Sequence, residues 1–388
     1  MTIPRNLATL LQTAARHYPV VLVTGPRQSG KTTLCQTIFP DRPYVTLEPL
    51  DRREAAITDP RGFIEEFRAG AIIDEVQQAP ALTSYLQEEV DRDATPGRFI
   101  LTGSQQFALT DQVAQSLAGR CAVLTLLPPG LDELQRFPAP PADLLTTLWM
   151  GAYPRIHDRN IPPDRWLADY FATYVQRDVR SVLNIGDLMV FTDFVRLAAG
   201  RTAQEINLST LGGDAGVSHN TARQWLSVLE AAFLVQRLPA WHNNQRKQIV
   251  KAPKLHFIDS GLACYLLDIR TPEQLRHHPL RGAIFESWVA AEILKRQVHA
   301  GHQARLFHYR ESRGLEVDLL VEEAGRRLAI EAKSGATVVG EFFASLEKLR
   351  VSMPDIRAGI VHGGAAAVRK NGMLAVPWNQ MQRLLEET

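Results

Sequence analysis

The sequence has few cysteines, no long apolar run and no excess of one charge, and each absence excludes a class of protein. Its three cysteines, Cys35, Cys121 and Cys264, are far apart and form no C-x-x-C pair, so we expect reduced core residues rather than a disulfide framework. No apolar run approaches the roughly 20 residues that span a bilayer, and the first residues lack the apolar stretch of a signal peptide. We therefore expect a cytoplasmic protein with no membrane partner.

The charges of the chain are almost balanced. Its 43 Lys and Arg against 42 Asp and Glu give a formal charge of +1 at pH 7. Such a balance gives no global sign of nucleic-acid binding, so that function has to be argued from local patches. With 388 residues, 45% of them hydrophobic, the chain has ordinary globular composition and enough length for two or three domains with separate cores.

The segment Gly25–Thr32 is a complete G-x4-G-K-[ST] phosphate-binding loop, or P-loop. It follows the apolar run Val20–Thr24, which is typical of a buried parallel strand, and precedes a helix expected over Thr32–Phe39. Glycines in such a loop let successive N–H groups converge on phosphate oxygens, and the helix N-terminus adds partial positive charge. The context predicts a nucleoside triphosphate site, with ATP and Mg²⁺ as the expected ligands, rather than a chance match.

The next apolar strand, Ala71–Glu75, ends in two adjacent acids, as in a Walker-B motif. Thr32 and Asp74 are the predicted Mg²⁺ ligands, and Lys31 is expected to reach the β- and γ-phosphates. Glu75 is placed to polarise the attacking water, which predicts hydrolysis; the alternative is an acidic pair that only opens a loop. The predicted nucleotide-binding residues are Gly25, Pro26, Arg27, Gln28, Ser29, Gly30, Lys31, Thr32, Thr33, Asp74 and Ser104.

A third strand, Arg98–Gln105, ends in small polar residues, at the position of the sensor strand of AAA-type ATPases. Ser104 or Gln105 would have the sensor role. Further on, Arg120 lies between a helical stretch over 111–117 and a fourth apolar strand, where AAA-type ATPases carry an arginine finger for a neighbouring subunit. Arg120 is therefore a candidate catalytic residue of a homo-oligomer such as a ring. A solvated arginine at a helix end remains the alternative.

Residues 203–241 have helix-turn-helix spacing, with Ser218 as the expected cap of the second helix. Beyond them, residues 231–258 contain five Lys and Arg but no Asp or Glu, around a hairpin-like Asn243–Asn244 that resembles a wing. We predict a winged helix with DNA as partner, although such folds also serve as packing or protein-contact modules. The candidate DNA-binding residues are His219, Asn220, Arg223, Arg246, Lys247 and Lys251.

The last third of the chain carries ionisable residues in an order typical of PD-(D/E)xK nucleases. Glu286 lies near the start of an expected helix, Asp318 in an alternating strand, and Glu331 and Lys333 in the next strand. Two-residue spacing places Glu331 and Lys333 on one face, beside Asp318. Such carboxylates can hold a second Mg²⁺ or Mn²⁺ while the lysine helps to activate water. A surface strand, or a nuclease fold kept as a non-cleaving scaffold, would also explain the pattern.

With these motifs in place, the whole chain resembles a family of prokaryotic ATPases of the AAA+ superfamily that join a P-loop core to a C-terminal domain of uncharacterised function. The resemblance implies an ATPase, a winged helix and a restriction-endonuclease-like domain, in that order. The matching stretches are Gly25–Thr32, Ile72–Glu75, Leu101–Ser104, Leu117–Arg120, Gly151–Pro154, Lys254–Leu262 and Glu316–Lys333.

We therefore expect an α/β protein with a parallel-sheet P-loop core, a helical and winged-helix region, and an α/β nuclease-like domain. The expected boundaries are 1–137 for the ATPase core, 138–200 for a helical lid or linker, 201–270 for the winged helix and 271–388 for the nuclease-like domain. The leading functional hypothesis is an ATPase that acts on DNA through its C-terminal modules. The alternatives are a nucleotide-controlled protein-interaction switch and an ATP-dependent nuclease.

Overall fold

The computed structural model describes residues 2–104, 116–179, 187–242, 252–311, 314–323 and 325–386, with the backbone alone for 176–179. Several predicted features lie outside the described residues: Gln105, most of the helical stretch over 111–117, Asn243–Asn244, Arg246, Lys247 and Lys251.

Five parallel strands form the N-terminal core, in the order β2-β3-β4-β1-β5, which confirms the predicted α/β class. Every residue of β1 is buried, and alternate residues belong to different apolar clusters because helices cover both faces of the sheet. The strands are β1 Val20–Thr24, β2 Tyr44–Thr46, β3 Ala71–Asp74, β4 Phe99–Gly103 and β5 Cys121–Thr125, and the helices are α1 Ala8–His17, α2 Lys31–Ile38, α3 Leu50–Thr58, α4 Pro60–Glu66, α5 Leu82–Arg92 and α6 Leu131–Leu134.

The register of this sheet brings the predicted nucleotide-binding segments to one edge. Thr24, the last residue of β1, is paired with Gly103 at the end of β4, and Asp74 is the last residue of β3. The P-loop, Asp74 and Ser104 therefore all lie at the carboxyl edge of the parallel sheet, where ligands bind in open α/β folds.

Residues 138–200 and 201–270 share one hydrophobic core. Phe194 from the first segment packs edge-on against Trp225 from the second, with ring centroids 5.2 Å apart. The predicted boundary at residue 200 therefore does not separate two cores. The helices are α7 Leu144–Met150, α8 Pro154–Arg159, α9 Pro163–Tyr170, α10 Leu188–Ala199, α11 Leu208–Asp214, α12 His219–Ala231 and α13 Ser260–Leu266, with a π-helix over Phe171–Val179, and β6 Gln204–Glu205, β7 Val235–Leu238 and β8 Lys254–Phe257 form a small antiparallel sheet.

Two motifs of this middle region interlock. The carboxylate of Asp259 accepts hydrogen bonds from the backbone N–H groups of Ala152 (2.7 Å) and Leu262 (2.8 Å). Gly151 has a φ of +68°, and a Cβ there would lie 2.3 Å from Asp259 Oδ1, so this contact requires glycine. The joint fixes the start of α8 against the start of α13.

The C-terminal region is a six-stranded mixed sheet, in the order β13-β14-β12-β11-β10-β9, with helices on both faces. Leu319 and Ile330 pack with the helix Arg281–His299 (α15), whereas their neighbours Leu320 and Ala329 pack with the helix Ala344–Ser352 (α16), as strand alternation requires. The elements are α14 Pro272–His277, α15 Arg281–His299, β9 Leu306–Arg310, β10 Glu316–Glu323, β11 Arg326–Lys333, α16 Ala344–Ser352, β12 Arg357–His362, β13 Val368–Lys370, β14 Met373–Pro377 and α17 Met381–Glu386.

Candidate functional site

The P-loop is tightly packed at its first glycine. Gly25 has a φ of +144°, and a Cβ there would lie 2.1 Å from the carbonyl oxygen of Leu126, so only glycine fits. Lys31 is 5% exposed, and its Nζ donates to the carbonyl oxygens of Gly25 (3.0 Å) and Pro26 (2.8 Å). Burial lowers the pKa of Lys31 to about 8, so the ammonium remains largely protonated at neutral pH.

The two predicted Mg²⁺ ligands are in direct contact. The Thr32 hydroxyl donates to Oδ1 of the buried Asp74 at 2.9 Å. Two residues that the sequence analysis missed hold the same carboxylate: the Thr102 hydroxyl donates to Oδ1, and the Tyr44 hydroxyl donates to Oδ2 at 2.9 Å. Asp74 is therefore oriented toward the loop by three hydroxyl donors.

The predicted water-polarising residue contacts the predicted sensor. Glu75 has φ 57° and ψ 45°, in the left-handed region that is uncommon for a residue with a Cβ. Its carboxylate accepts hydrogen bonds from the Ser104 hydroxyl (3.2 Å) and the Gln77 amide, and that amide also donates to Ser104 Oγ (3.1 Å). Gln77 thus joins the two residues and was not predicted.

A cleft of about 770 Å³ opens beside these groups. Four arginines line it, and two of them, Arg155 and Arg159, come from helix α8 of the middle region; the others are Arg5 and Arg27. The lining also includes four acids, Glu48, Asp74, Glu75 and Asp158. A larger cavity of about 930 Å³ lies beside α15, but the described residues that line it include no P-loop or Walker-B residue. The lining of the smaller cleft includes Ile3, Arg5, Ala8, Arg27, Gln28, Gly30, Lys31, Thr32, Thr33, Ile38, Asp74, Glu75, Phe137, Arg155 and Arg159.

The residues of this cleft fit ATP with Mg²⁺. Ser29 Oγ in the loop and Thr24 Oγ1 before it are buried without a hydrogen-bond partner among the described residues. A cradle that excludes a Cβ, a buried ammonium and a hydroxyl–carboxylate pair supply the donors and hard oxygen ligands that phosphates and Mg²⁺ take. Apolar lining residues such as Ile3 and Phe137 provide a surface for a nucleobase.

Arg120 lies far from the P-loop of its own chain. Its backbone carbonyl accepts from Val20 N–H at the first residue of β1, whereas the P-loop follows the last residue of β1. Its half-exposed guanidinium binds Asp91 of α5, with Nη2 donating to Oδ2 at 3.0 Å. Any contact between Arg120 and a nucleotide therefore has to involve another subunit.

The predicted DNA-contacting face of α12 is open. His219, Asn220 and Arg223 are exposed, and the Ser218 hydroxyl caps the helix by accepting from Thr221 N–H at 3.1 Å. The basic run beyond this helix is less available than the sequence indicated. Arg237 forms an ion pair with Glu230 (2.6 Å), and Lys254 turns inward to the C-terminal region.

The structure brings the four nuclease-like residues together. Asp318 Oδ2 accepts from Ala332 N–H (2.8 Å) and lies 3.3 Å from Lys333 Nζ, which also binds Glu331. Burial, and then the charge of Asp318, raise the pKa of Glu331 and of Glu286 to about 8. We call this group, together with Glu316 and Lys254, the carboxylate cluster.

Lys254 of β8 and Glu316 of β10 are the members of the carboxylate cluster that the sequence analysis missed. Its Nζ lies 3.0 Å from Glu286 Oε1 and 2.9 Å from Glu316 Oε1, and the side chain is 4% exposed. Two ammonium groups thus offset part of the expected repulsion among the carboxylates, and the raised pKa values of Glu286 and Glu331 keep these two acids largely protonated at neutral pH. In the part of the chain that the structure describes, no group of three or more His, Cys, Asp or Glu is arranged to hold a metal ion, so the second Mg²⁺ or Mn²⁺ has no support here.

Three family profiles match consecutive parts of the chain. An AAA domain matches residues 17–135, a domain of unknown function (DUF8612) matches 141–273, and a second domain of unknown function (DUF4143) matches 281–381. A match among solved structures is the Walker-type ATPase of Pyrococcus abyssi, 16% identical over 67% of this chain and 94% of that chain, with a TM-score of 0.42. Domain III of the replication initiation protein DnaA of Thermotoga maritima is 17% identical over 43% of this chain and 83% of that chain, with a TM-score of 0.29.

No helix among the described residues is both long and apolar enough to cross a membrane. Two uncharacterized proteins, from Mycobacterium tuberculosis and Mycobacterium bovis, are each 30% identical to this chain over 97% of its length and 84% of theirs. The chain therefore belongs to the same family as these mycobacterial proteins, and its N-terminal region is an ATPase domain of the AAA type.

Proposed function

We propose that this chain is a Mg²⁺-dependent ATP hydrolase whose nucleotide state controls contacts with DNA by its middle and C-terminal regions. The observation that carries the catalytic part is the Thr32–Asp74 hydrogen bond (2.9 Å) together with the Glu75–Ser104 contact (3.2 Å) at the same sheet edge. A paired Mg²⁺ site and water site are what distinguish a hydrolase from a simple nucleotide-binding protein.

Each predicted residue has a role that its surroundings support. Thr32 and Asp74 would hold Mg²⁺, which when bound neutralises charge on the phosphates. Lys31 would exchange the two carbonyls of its own loop for phosphate oxygens. Glu75 would polarise water, and the hydrogen bond from Ser104 orients its carboxylate.

The nucleotide state can act on the rest of the chain through α8. This helix lines the cleft with Arg155 and Arg159 and is fixed to the middle region by the joint between Gly151 and Asp259. A change in the charge facing the two arginines would therefore displace the middle region relative to the ATPase core.

Hydrolysis in this proposal requires a homo-oligomer. Arg120 lies at the sheet edge opposite its own P-loop, so it can complete only a neighbouring subunit's site. A head-to-tail arrangement satisfies this geometry, and a ring closes it. The ion pair with Asp91 would hold the guanidinium until the neighbour's nucleotide replaces that carboxylate.

DNA contact is supported by α12. His219, Asn220 and Arg223 are exposed near the start of this helix, which follows α11 after a short turn, as in helix-turn-helix modules.

An interaction switch with a non-cleaving C-terminal scaffold is the second candidate. The observation that favours it is the carboxylate cluster, in which the ammonium groups of Lys254 and Lys333 stand beside the acids where a nuclease would hold a metal ion.

The test is an ATPase assay with and without single-stranded, duplex and junction DNA. We expect Mg²⁺-dependent hydrolysis that DNA stimulates and that Glu75→Gln abolishes, which also excludes a contaminating ATPase. Hydrolysis that no DNA stimulates would favour the interaction switch. Metal-dependent cleavage of the DNA that is lost in Asp318→Asn would identify a nuclease instead.

A further inference from the structure

A buried arginine outside every sequence motif lines the cleft and binds the backbone of the P-loop. Arg5 is 7% exposed, and its Nη1 donates to the carbonyl oxygen of Ser29 at 2.7 Å. Its Nη2 donates to the carbonyl oxygen of Leu127 at 2.8 Å, and its Nε donates to Glu133 Oε1 at 3.0 Å. One planar guanidinium thus joins the P-loop, the segment after β5 and a buried carboxylate.

The contact with Ser29 has a direct consequence for the phosphate cradle. The carbonyl of Ser29 and the N–H of Gly30 belong to one planar trans peptide unit, so they point in opposite directions. Fixing the carbonyl on Arg5 therefore fixes the direction of the Gly30 N–H. Gly30 directly precedes Lys31 and has a φ of +94°. As a glycine it has no side chain of its own that could hold this conformation.

The carboxylate of Glu133, which binds Arg5, is buried and accepts further hydrogen bonds. Glu133 is 0% exposed and accepts backbone N–H bonds from Asn6 (2.6 Å) and Gly130 (2.9 Å) in addition to Arg5. Burial acts to raise the pKa of Glu133, but the charge of Arg5, the nearby His299 and the hydrogen bonds from Arg5 and the Asn6 N–H together outweigh it, and the pKa is lowered. The carboxylate is thus charged, and Arg5 is held in one orientation.

The same anchor touches the C-terminal region. His299, in the last turn of α15, accepts from Leu127 N–H through Nε2 at 3.1 Å, and its Nδ1 lies 3.8 Å from Glu133 Oε2. Burial lowers the pKa of His299 to about 4, so the ring is neutral and Nδ1 carries the proton that faces Glu133. The helix that ends at His299 begins close to Glu286 in the carboxylate cluster.

We propose that Arg5 is a positioning residue for the phosphate cradle and that α15, through His299, Leu127 and Glu133, sets how firmly Arg5 holds it. The C-terminal region thereby controls nucleotide affinity, and by reciprocity a bound nucleotide biases the position of α15. The inference rests on nucleotide binding at the P-loop, as proposed above.

The test is the dissociation constant of a fluorescent ATP analogue measured by titration with Arg5→Lys. Lysine keeps the charge, but a single ammonium cannot bridge Glu133 and two carbonyls, so we expect affinity to fall by about tenfold. His299→Leu removes the acceptor for Leu127 N–H and should weaken binding by about threefold. If Arg5→Lys yields no folded protein, Glu133→Gln, which keeps the size of the anchor, is expected to weaken binding in the same way.

Arg98 offers a matched control, because it is another buried arginine that binds a glutamate and backbone carbonyls, with Asp93 as a further acidic partner at 3.4 Å. Its Nη2 donates to Glu89 Oε1 (2.6 Å) and its Nε donates to the carbonyl of Arg68 (2.9 Å), at the start of β4 and away from the P-loop. Arg98→Lys should lower the unfolding temperature as Arg5→Lys does and leave nucleotide affinity unchanged.

The positioning role of Arg5 would be overturned if the wild type and Arg5→Lys bound the nucleotide with equal affinity. Equal losses of nucleotide affinity in Arg5→Lys and Arg98→Lys would overturn it as well. Loss of stability without loss of affinity in His299→Leu would overturn the control by α15. A wild-type chain that binds no nucleotide would instead refute the proposed function itself, so the two failures are distinguishable.

Discussion

The P-loop cleft and the carboxylate cluster both place lysines beside acidic residues, but the partners of the lysines differ. Lys31 donates to two backbone carbonyls, and burial lowers its pKa to about 8. Lys254 and Lys333 form ion pairs with carboxylates; burial acts to lower their pKa values, but the carboxylates outweigh it and raise both.

The difference in partners decides whether the ammonium group of the lysine is available to a ligand. At the P-loop, neutral dipoles hold the ammonium, so it can be given to an anion at little electrostatic cost. In the carboxylate cluster each ammonium already neutralises acids of the same chain, so a metal ion would have to displace it. One site is open to a foreign ligand, whereas the other joins the middle and C-terminal regions.

The largest effect is expected from Glu75→Gln. Removing the general base while keeping its size should lower ATP turnover by about 10²- to 10⁴-fold and leave nucleotide binding intact. Lys31→Ala, in contrast, should abolish tight binding because the phosphate-contacting charge is lost. Turnover and the dissociation constant are measured separately, with Glu331→Gln as a control that should not affect either. Wild-type turnover in Glu75→Gln would show that another residue polarises the water.

A large loss of stability is expected from Lys254→Met. Removal of one partner from a buried ion pair leaves carboxylates uncompensated and typically costs about 3 kcal/mol or more. Urea unfolding should show this cost, whereas Lys348→Met, at an exposed position, should change the unfolding free energy by less than about 0.5 kcal/mol. Equal stability of the two variants would mean that Lys254 does not join the two regions.

A moderate gain of activity is expected when two inactive variants are mixed. Lys31→Ala subunits keep Arg120, and Arg120→Ala subunits keep the P-loop, so co-assembled mixtures should recover part of the lost hydrolysis. The rate is measured as a function of mixing ratio after co-assembly has been verified. Absence of recovery in proven mixed assemblies would exclude Arg120 as a residue that acts on a neighbour.

A smaller effect is expected on the salt dependence of DNA binding. Replacing Arg246, Lys247 and Lys251 with Ala should flatten the plot of log affinity against log salt by up to about three counterions. Arg237→Ala is the matched control, because that guanidinium is already paired with Glu230. A slope that is unchanged in the triple variant would place the DNA contact elsewhere or remove it.

The smallest response is expected from divalent ions in the carboxylate cluster. Without nucleotide, calorimetric titration with Mn²⁺ should give the same isotherm for the wild type and Asp318→Asn. Lys254 and Lys333 already pair with the carboxylates, and the raised pKa values of Glu286 and Glu331 keep these two acids largely protonated at neutral pH. Mn²⁺ binding in the wild type that Asp318→Asn abolishes would contradict this, and would restore the metal site expected from the sequence order.

What could be predicted from the sequence was local in the chain. The P-loop, Asp74 and Glu75 each lie at the end of an apolar strand, so pattern alone brings them to one sheet edge. Glu331 and Lys333 could likewise be placed on one face, beside Asp318. In these cases the position of a residue along its strand is enough to place its side chain in the fold.

What the sequence analysis missed depends on contacts between distant segments. Arg5 and Glu133 are 128 residues apart, and Lys254, in strand β8 of the middle region, reaches Glu286 on helix α15. Arg5 has no motif around it, and Lys254, although it begins a stretch that resembles the family, was counted in a basic patch because its neighbours are basic. The sequence therefore could not identify Lys254 as a partner of the acids in the carboxylate cluster, because that contact depends on the position of β8.

The interlock between Gly151 and Asp259 bears on how parts of this family can be exchanged by engineering. Because a Cβ at residue 151 would come within 2.3 Å of the Asp259 carboxylate, the two motifs form a matched pair separated by more than a hundred residues. A chimera that takes its ATPase core and α8 from one homologue and α13 from another should assemble only when both halves carry this pair. Crossover points before residue 151 are therefore the natural places to graft a foreign nucleotide-binding core onto this middle region.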